Sequence, residues 1–577
     1  MATVNMVNIM NDNCIDTYWK DDFYFCEDKI IATMAEFYHR PHELMFCGTM
    51  NFSYTRNTFE NTCIGRRICV TYANENKFLE KFHGISIHSI NKTDTSCSPD
   101  DIYDLCKEKM KQGTPVAIGL NNLSSVWEIK PGEEEVEVLP FLVVGINEDR
   151  SINIVNFHEL GIISTISKET FLQSYRWYTS FAVKKDVQDI DIEELLVKVC
   201  EIQKLHAPLM NDCYEIFSNY PNISKNDDIL RYDSTHDSYK EMLDLSCDIL
   251  DMDLSAETGG RKSVLFVPFY FDLLVLYRSR LVFTKALSYL NNYFDFTLFD
   301  QIIYKSMVSS SKWNYIRMLF ANSYHNNRLD METKICISKI IKQIASYELE
   351  INNELIDILK KSRSDIFLYS CKSKNLKTDR TIDTENFSQK YLVDLSNHYN
   401  HRLFSKTPNE KNDNQPLTDK YYYKGSVPFG AIYHDENACF LYPQSNTLGD
   451  SIICVGQRLE IKKGFYSYIT FIGSALYNEM VYDYVILNHA DGTPERICLG
   501  FNGWNDNKYD IDTSHKKIIW QGDVEKRELI NTFENVRKAR IYSKKYKISK
   551  ESEVTSIAFP MNPFLSIIAI TFDKRGI

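Results

Sequence analysis

Cys26 follows an irregular aromatic lead-in, Tyr18 to Phe25, and heads an amphipathic run in which Ile30, Met34, Phe37 and Tyr38 share one face. The pattern puts a thiol at a helix N-terminus, where backbone N–H groups and the positive end of the helix dipole stabilise a thiolate. Nucleophilic catalysis is the chemistry that suits such a thiolate. The same residues allow a plainer outcome, because Glu27 and Asp28 bring negative charge beside the sulfur and free cysteines are commonly packed and inert. A working site of this kind also needs a strand-borne histidine to take and return a proton, and an Asn or Asp to orient its imidazole.

Such parts need a scaffold, and 577 residues are too many for one core. Hydrophobic residues make up 44% and charged residues 25%, a globular balance with ample aromatic surface. The net charge of −12 is spread without long like-charge blocks, so nothing offers a nucleic-acid backbone or an anionic membrane a footprint. The most apolar stretch, Val264 to Tyr277, is too short to span a bilayer and contains Pro268 and Asp272, which predicts a core helix. Met1 to Met10 has neither the basic start nor the apolar core of a secretory signal, and 15 cysteines occur without a CxxC pair. Together these predict reduced thiols and a cytoplasmic protein.

Periodicity divides the chain. Residues 1–184 read as mixed α/β, with a helix near 99–111 capped by Ser98-Pro99, then short strands at Pro115–Leu120, Phe141–Ile146 and Ile152–Asn156. Residues 185–405 turn to helical spacing and predict a bundle, with Lys334–Leu359 broken into two helices. The polar, Pro-containing stretch 406–420 reads as a linker. Residues 421–577 alternate with period two and are punctuated by turns at Asn446, Asn488–Gly492, Asn502–Asn507 and Met561–Pro563, which predicts an antiparallel β-sandwich. The expected fold class is therefore multidomain α+β: an α/β domain, a helical bundle and a sandwich.

The run Phe25–Tyr54, with Gly113–Leu120, Phe141–Ile146 and Ile154–Asn156, resembles the N-terminal domain of the butirosin biosynthesis protein H family, a papain-like fold. The resemblance covers about residues 14–184. It implies acyl transfer or amide formation in peptide or aminoglycoside natural-product assembly, with Cys26 as acyl acceptor, an acyl carrier protein as thioester donor and a small-molecule amine as acceptor. It also places Asn156 at the orienting position and the general base at Leu139 or Pro140, neither of which can move a proton. His158, on the same strand face beyond Asn156 if the strand continues, is the candidate substitute, with His83 and His88 less well placed. A thiol can still accept an acyl group by thioester exchange without that base, so the loss bears more on peptidase activity than on transfer. A catalytically degenerate scaffold or binding protein is the rival reading.

Ile472–Ala475, Val485–Thr493, Leu499–Asp506 and Ile557–Phe572 resemble the β-sandwich modules of the galactose-binding-like type. Asp491-Gly492 makes a hairpin turn there, and Trp504 either stacks on a sugar ring or plugs the sandwich, which leaves a glycan-binding protein as a third reading. His39 and His42 near Cys47 lack a second pair to complete a metal site, and Gly259-Gly260-Arg261-Lys262 lacks the spacing of a phosphate loop. No metal and no cofactor is expected. Arg278 and Arg280 sit two apart on a helix, which splits them between faces and predicts structural pairing or solvation.

Overall fold

Helix α1 (Cys26–Phe37) starts where Asp28 Oδ2 accepts the Phe25 N–H at 3.1 Å, so an acidic side chain in the first turn closes the helix start. Its apolar positions Ile30, Ile31 and Met34 are buried. A computed structural model describes residues 25–56, 63–70, 76–91, 97–121, 138–156, 163–184, 187–190, 192, 195–196, 238–261, 263–294, 297–360, 390–401, 403–405, 421–424, 432–435, 438–441, 449–476, 480–503, 516–526 and 538–575. The fold is mixed helix and sheet, with a helical central region and C-terminal sheets.

After the short pair β1 (Ser53–Tyr54) and β2 (Ile68–Cys69) come α2 (Asn76–His83), β3 (Ile85–Asn91) and α3 (Pro99–Lys111). The α3 start is as its sequence predicts: Ser98 Oγ accepts the Asp101 N–H at 3.2 Å, Asp101 Oδ2 accepts the Ser98 N–H at 2.8 Å, and Pro99 fills the first turn. Then follow β4 (Val116–Asn121), β5 (Val138–Ile146), β6 (Ile152–Asn156), β7 (Ile163–Ile166), α4 (Lys168–Ser174) and β8 (Tyr175–Val183). The strands form one antiparallel sheet in the order β3-β8-β4-β5-β6-β7. Ile118, Leu120, Leu139, Phe141, Val143 and Ile154 bury one face of it against Ile102, Tyr103 and Cys106 of α3. Helix α1 packs on β5, whose Leu142 and Val144 alternate with that set and are also buried.

The helical region holds α5 (Ser238–Asp248), α6 (Leu254–Thr258), α7 (Pro268–Tyr293), α8 (Asp300–His325) and α9 (Met331–Lys360). Of the stretch Val264–Tyr277 expected to be a core helix, the part from Pro268 is α7, with Pro268 in its first turn, whereas Val264–Phe266 forms a separate short 3-10 turn with Leu265 exposed; Gly259 ends α6 in the left-handed conformation at φ 53°. The break expected within 334–359 is absent: α9 runs through, with no Gly or Pro inside it to interrupt the ladder.

The chain divides into two compact units, Met1–Ile302 with Leu319–Leu368, and Ile303–Met318 with Tyr369–Ile577. The change of periodicity near residue 184 therefore does not coincide with a division between units. Polar clamps across it explain why. Thr49 Oγ1 donates to Ser279 O at 2.9 Å, Tyr54 N–H to Glu241 at 2.8 Å, and Arg280 to Asn51 O at 3.0 Å. Glu257, fully buried, accepts the Ile64 and Gly65 N–H groups.

In the second unit, the region expected to be helical ends in sheet instead: β9 (Lys390–Leu392) pairs with the last strand, and β10 (Phe404–Ser405) pairs with β11 (Tyr421–Lys424). The stretch 406–420 lies outside the described residues. Strands β12 (Ile432–Asp435), β13 (Ala438–Leu441), β14 (Ile452–Val455), β15 (Arg458–Gly464), β16 (Tyr466–Ala475), β17 (Val481–His489), β18 (Pro494–Phe501), β19 (Lys516–Lys526), β20 (Lys538–Lys547), β21 (Val554–Ala558) and β22 (Met561–Lys574) follow. One sheet runs β10-β11-β19-β20-β16-β22-β14 and another β15-β21-β17-β18, with β17 packed on β22 and β18 on β16. Met561–Pro563 is not a turn but the start of β22. Its register jumps from Asn562 opposite Cys454 to Ser566 opposite Ile453, a bulge that takes in Pro563, which has no N–H to give the ladder. The middle of α8 belongs to this unit, where Lys312 Nζ meets Asp483 Oδ2 at 2.7 Å with both side chains 2% exposed.

Candidate functional site

The sequence expectation for Cys26 holds at the backbone: it is the first residue of α1, and its side chain lies outside the described residues. The negative charge expected beside it is smaller than the sequence suggests. Burial, with the Asp28 charge adding to it, pushes the Glu27 carboxyl up to about 8, so at neutral pH it is mostly uncharged. Asp28 is buried and holds the Phe25 N–H. The Phe25 ring lies under the guanidinium of Arg278 from α7, Cζ at 4.8 Å from its centroid.

On β5, Leu139 stands opposite Leu120 and Pro140 opposite Gly119, both buried. Among the described residues, the β5–β6 pairing begins at Phe141–Asn156. Gly119 also pairs with Trp177, whose indole lies over the glycine and occupies the place of a side chain there. Leu139 and Pro140, where the family resemblance expects a base, are thus two buried apolar strand residues.

Asn156 ends β6 opposite Phe141, in phase with Ile152 and Ile154, and Phe141, Ile152 and Ile154 all belong to the core shared with α3. Its side chain, and the whole of His158, lie outside the described residues. His88 is exposed on the edge strand β3. His83 is buried, accepts the Leu44 N–H on Nε2 at 3.3 Å and meets the Tyr289 ring edge to face. Burial holds its pKa down to about 4, so it is a neutral, structural imidazole.

The other described thiols with altered acidity are poor nucleophiles. Cys63 donates to Glu257 Oε2 at 3.2 Å, and burial with that neighbouring carboxylate pushes its thiol up to about 11. Burial alone pushes Cys106 to about 12. No three His, Cys, Asp or Glu side chains converge as a metal site among the described residues, and there no helix is long and apolar enough to cross a membrane.

In the second unit Asp491 sits in the β17–β18 turn, as expected, with Gly492 at φ 80°. Its Oδ1 accepts the Thr493 N–H at 2.9 Å and the Thr493 hydroxyl at 2.7 Å, bonds that hold its carboxyl below the usual range and commit that oxygen to the turn. Trp504 lies outside the described residues.

Two buried ion pairs carry no local signature in the sequence. Arg280 is fully buried and grips Glu348 through Nε at 2.9 Å and Nη2 at 2.8 Å, which makes it the structural member of the arginine pair. Lys312 and Asp483 are 171 positions apart, and only the high polarity of Ser309-Ser310-Ser311-Lys312 inside a helical run hinted at a buried partner. No protein-family model and no curated protein matches the chain.

Proposed function

We propose that the first unit carries a papain-like domain whose Cys26 accepts an acyl group from a carrier-bound thioester and passes it to a small-molecule amine, in cytoplasmic natural-product assembly of the peptide or aminoglycoside type. The observation that supports it is Cys26 as the first residue of a helix packed on β5. In the first step the Cys26 thiolate attacks the donor's carbonyl carbon. A new C–S bond forms, the donor's C–S bond breaks, and the donor thiolate leaves with the electron pair. In the second step the amine attacks the same carbon, Cys26 leaves as thiolate, and the nitrogen gives up one proton. Leu139 and Pro140 cannot accept it, so Asn156 and His158 are the residues to test as orienter and base. In this reading the second unit is a galactose-binding-like β-sandwich, with Trp504 and Asp491 as its candidate carbohydrate contacts.

A second reading, a catalytically degenerate scaffold, draws support from Pro140 and the Trp177 indole in the strand row where a base would stand. The two separate in single-turnover kinetics with wild type and His158→Ala, comparing acylation of Cys26 with amine-dependent release. Release that fails in His158→Ala while acylation persists supports transfer with His158 as base. Full-rate release removes His158 from the mechanism, and no acylation in wild type leaves the scaffold.

A further inference from the structure

β14 is an end strand of its sheet: among the described residues its ladder partner is β22 alone. An end strand turns the N–H and C=O of every second residue away from its neighbour, a row on which a further strand can form. Here the row runs through Ser451, just ahead of β14, then Ile453 and Val455, and it is closed from within the chain. Ser451 O accepts the His401 N–H at 3.1 Å, and the Ser451 N–H donates to His401 O at 3.0 Å. Gly449 permits that approach, since a Cβ there would collide with the His401 carbonyl. At Ile453 side chains take over from the backbone. Asn400 Oδ1 accepts the Ile453 N–H at 2.8 Å, and its Nδ2 donates to Ile453 O at 3.2 Å. Gln457 Nε2 donates to the same carbonyl at 2.7 Å, while its Oε1 accepts the Val455 N–H at 2.6 Å. A primary amide carries the donor and the acceptor of a peptide group, so each side chain gives the edge what a neighbouring strand would give it. Val455 and Met561, which face each other across β14 and β22, are each 42% exposed, so apolar side chains border this edge.

We infer that Asn400 and Gln457 are an edge lock: they occupy the β14 groups through which a second copy of this chain would otherwise add, antiparallel and edge to edge. A second copy is the occupant this edge fits best, because two copies of one strand edge match each other about a two-fold axis with no other complementary sequence required. The bare edge would offer the open bonds of Ile453 and Val455 together with the exposed Val455 and Met561 side chains, the combination that drives strand addition.

Sedimentation velocity at rising protein concentration reads the association, and hydrogen exchange resolved to single amides reads the edge. Asn400→Ala combined with Gln457→Ala should double the sedimenting mass relative to wild type as concentration rises. Adding Val455→Lys should return it to the wild-type mass, because a charge on the edge opposes pairing. In dilute solution the double variant should exchange the Ile453 and Val455 amides about tenfold faster than wild type, and regain protection once it pairs. A double variant that keeps wild-type protection in β22 and wild-type mass at every concentration would overturn the inference, as would a doubled mass that Val455→Lys leaves in place. Where the double variant folds poorly, wild type decides alone: Ile453 and Val455 amides exchanging as fast as in an unfolded peptide would mean that the two side chains do not close the edge.

Discussion

Arg280→Ala should destabilise the first unit severely. The side chain is fully buried and makes four hydrogen bonds: two to Glu348, one to Asn51 O and one to Ser279 Oγ. An exposed ion pair would contribute about 0–1 kcal/mol, but breaking a buried one costs about 3–5 kcal/mol because the remaining charge loses its partner. Withdrawing the donor from Asn51 O adds roughly 1 kcal/mol. The sum, about 4–6 kcal/mol, falls on the contacts joining α7 to α9 and to the segment after α1. Urea unfolding followed by tryptophan fluorescence and by limited proteolysis of the first unit reads the loss. The paired variant Arg280→Met with Glu348→Leu removes both charges and should recover most of it, to within about 2 kcal/mol of wild type. A loss below about 1 kcal/mol in Arg280→Ala would refute the reasoning, since the pair would then behave as a surface pair.

Lys312→Ala should destabilise the second unit by about 3–5 kcal/mol and Lys312→Met with Asp483→Leu by far less, as measured by the same unfolding assay. Gly119→Ala places a methyl in the Trp177 indole and should lower stability by about 1–3 kcal/mol, with Trp177→Ala relieving part of the effect in a double-mutant cycle. Burial holds His83 and His401 near pKa values of about 4, below the ordinary 6.5. Because the unfolded chain takes up those protons first, stability should be full above pH 6.5 and fall as pH drops towards 4, and His83→Phe should flatten that slope in thermal melts. Cys63 and Cys106 should resist a thiol reagent at neutral pH until the chain is unfolded, as counted by mass spectrometry.

Local signals in the sequence carried local structure. The Ser98-Pro99 cap, the strands around Phe141–Ile146 and Ile152–Asn156, and the Asp491-Gly492 turn each depend on residues a few positions apart, and each stands where its pattern put it. Residues 390–392 and 404–405 are strand although their surroundings read as helical, because their partners, such as Phe572 opposite Tyr391, lie outside that stretch of the chain. The sharing of one unit by the N-terminal sheet and the helices was hidden for the same reason. Arg280 and Glu348 are 68 positions apart, and Glu257 meets Ile64 across 193, distances over which composition and periodicity say nothing about partners. For the candidate site, the helix start at Cys26 was legible, and so was the strand that carries Phe141–Ile146 beside Leu139 and Pro140. The Trp177 indole over Gly119 and the Arg278 stack on Phe25 were not, since each joins strands or helices that only the fold brings together.

The central claim is that Cys26 is an acyl acceptor, and intact-protein mass spectrometry after brief exposure to an acyl-pantetheine thioester tests it most directly. The wild-type chain should carry one acyl adduct, mapped to the peptide containing Cys26, lost on hydroxylamine treatment and absent from Cys26→Ala. Equal labelling of wild type and Cys26→Ala, or no adduct on either, would contradict it.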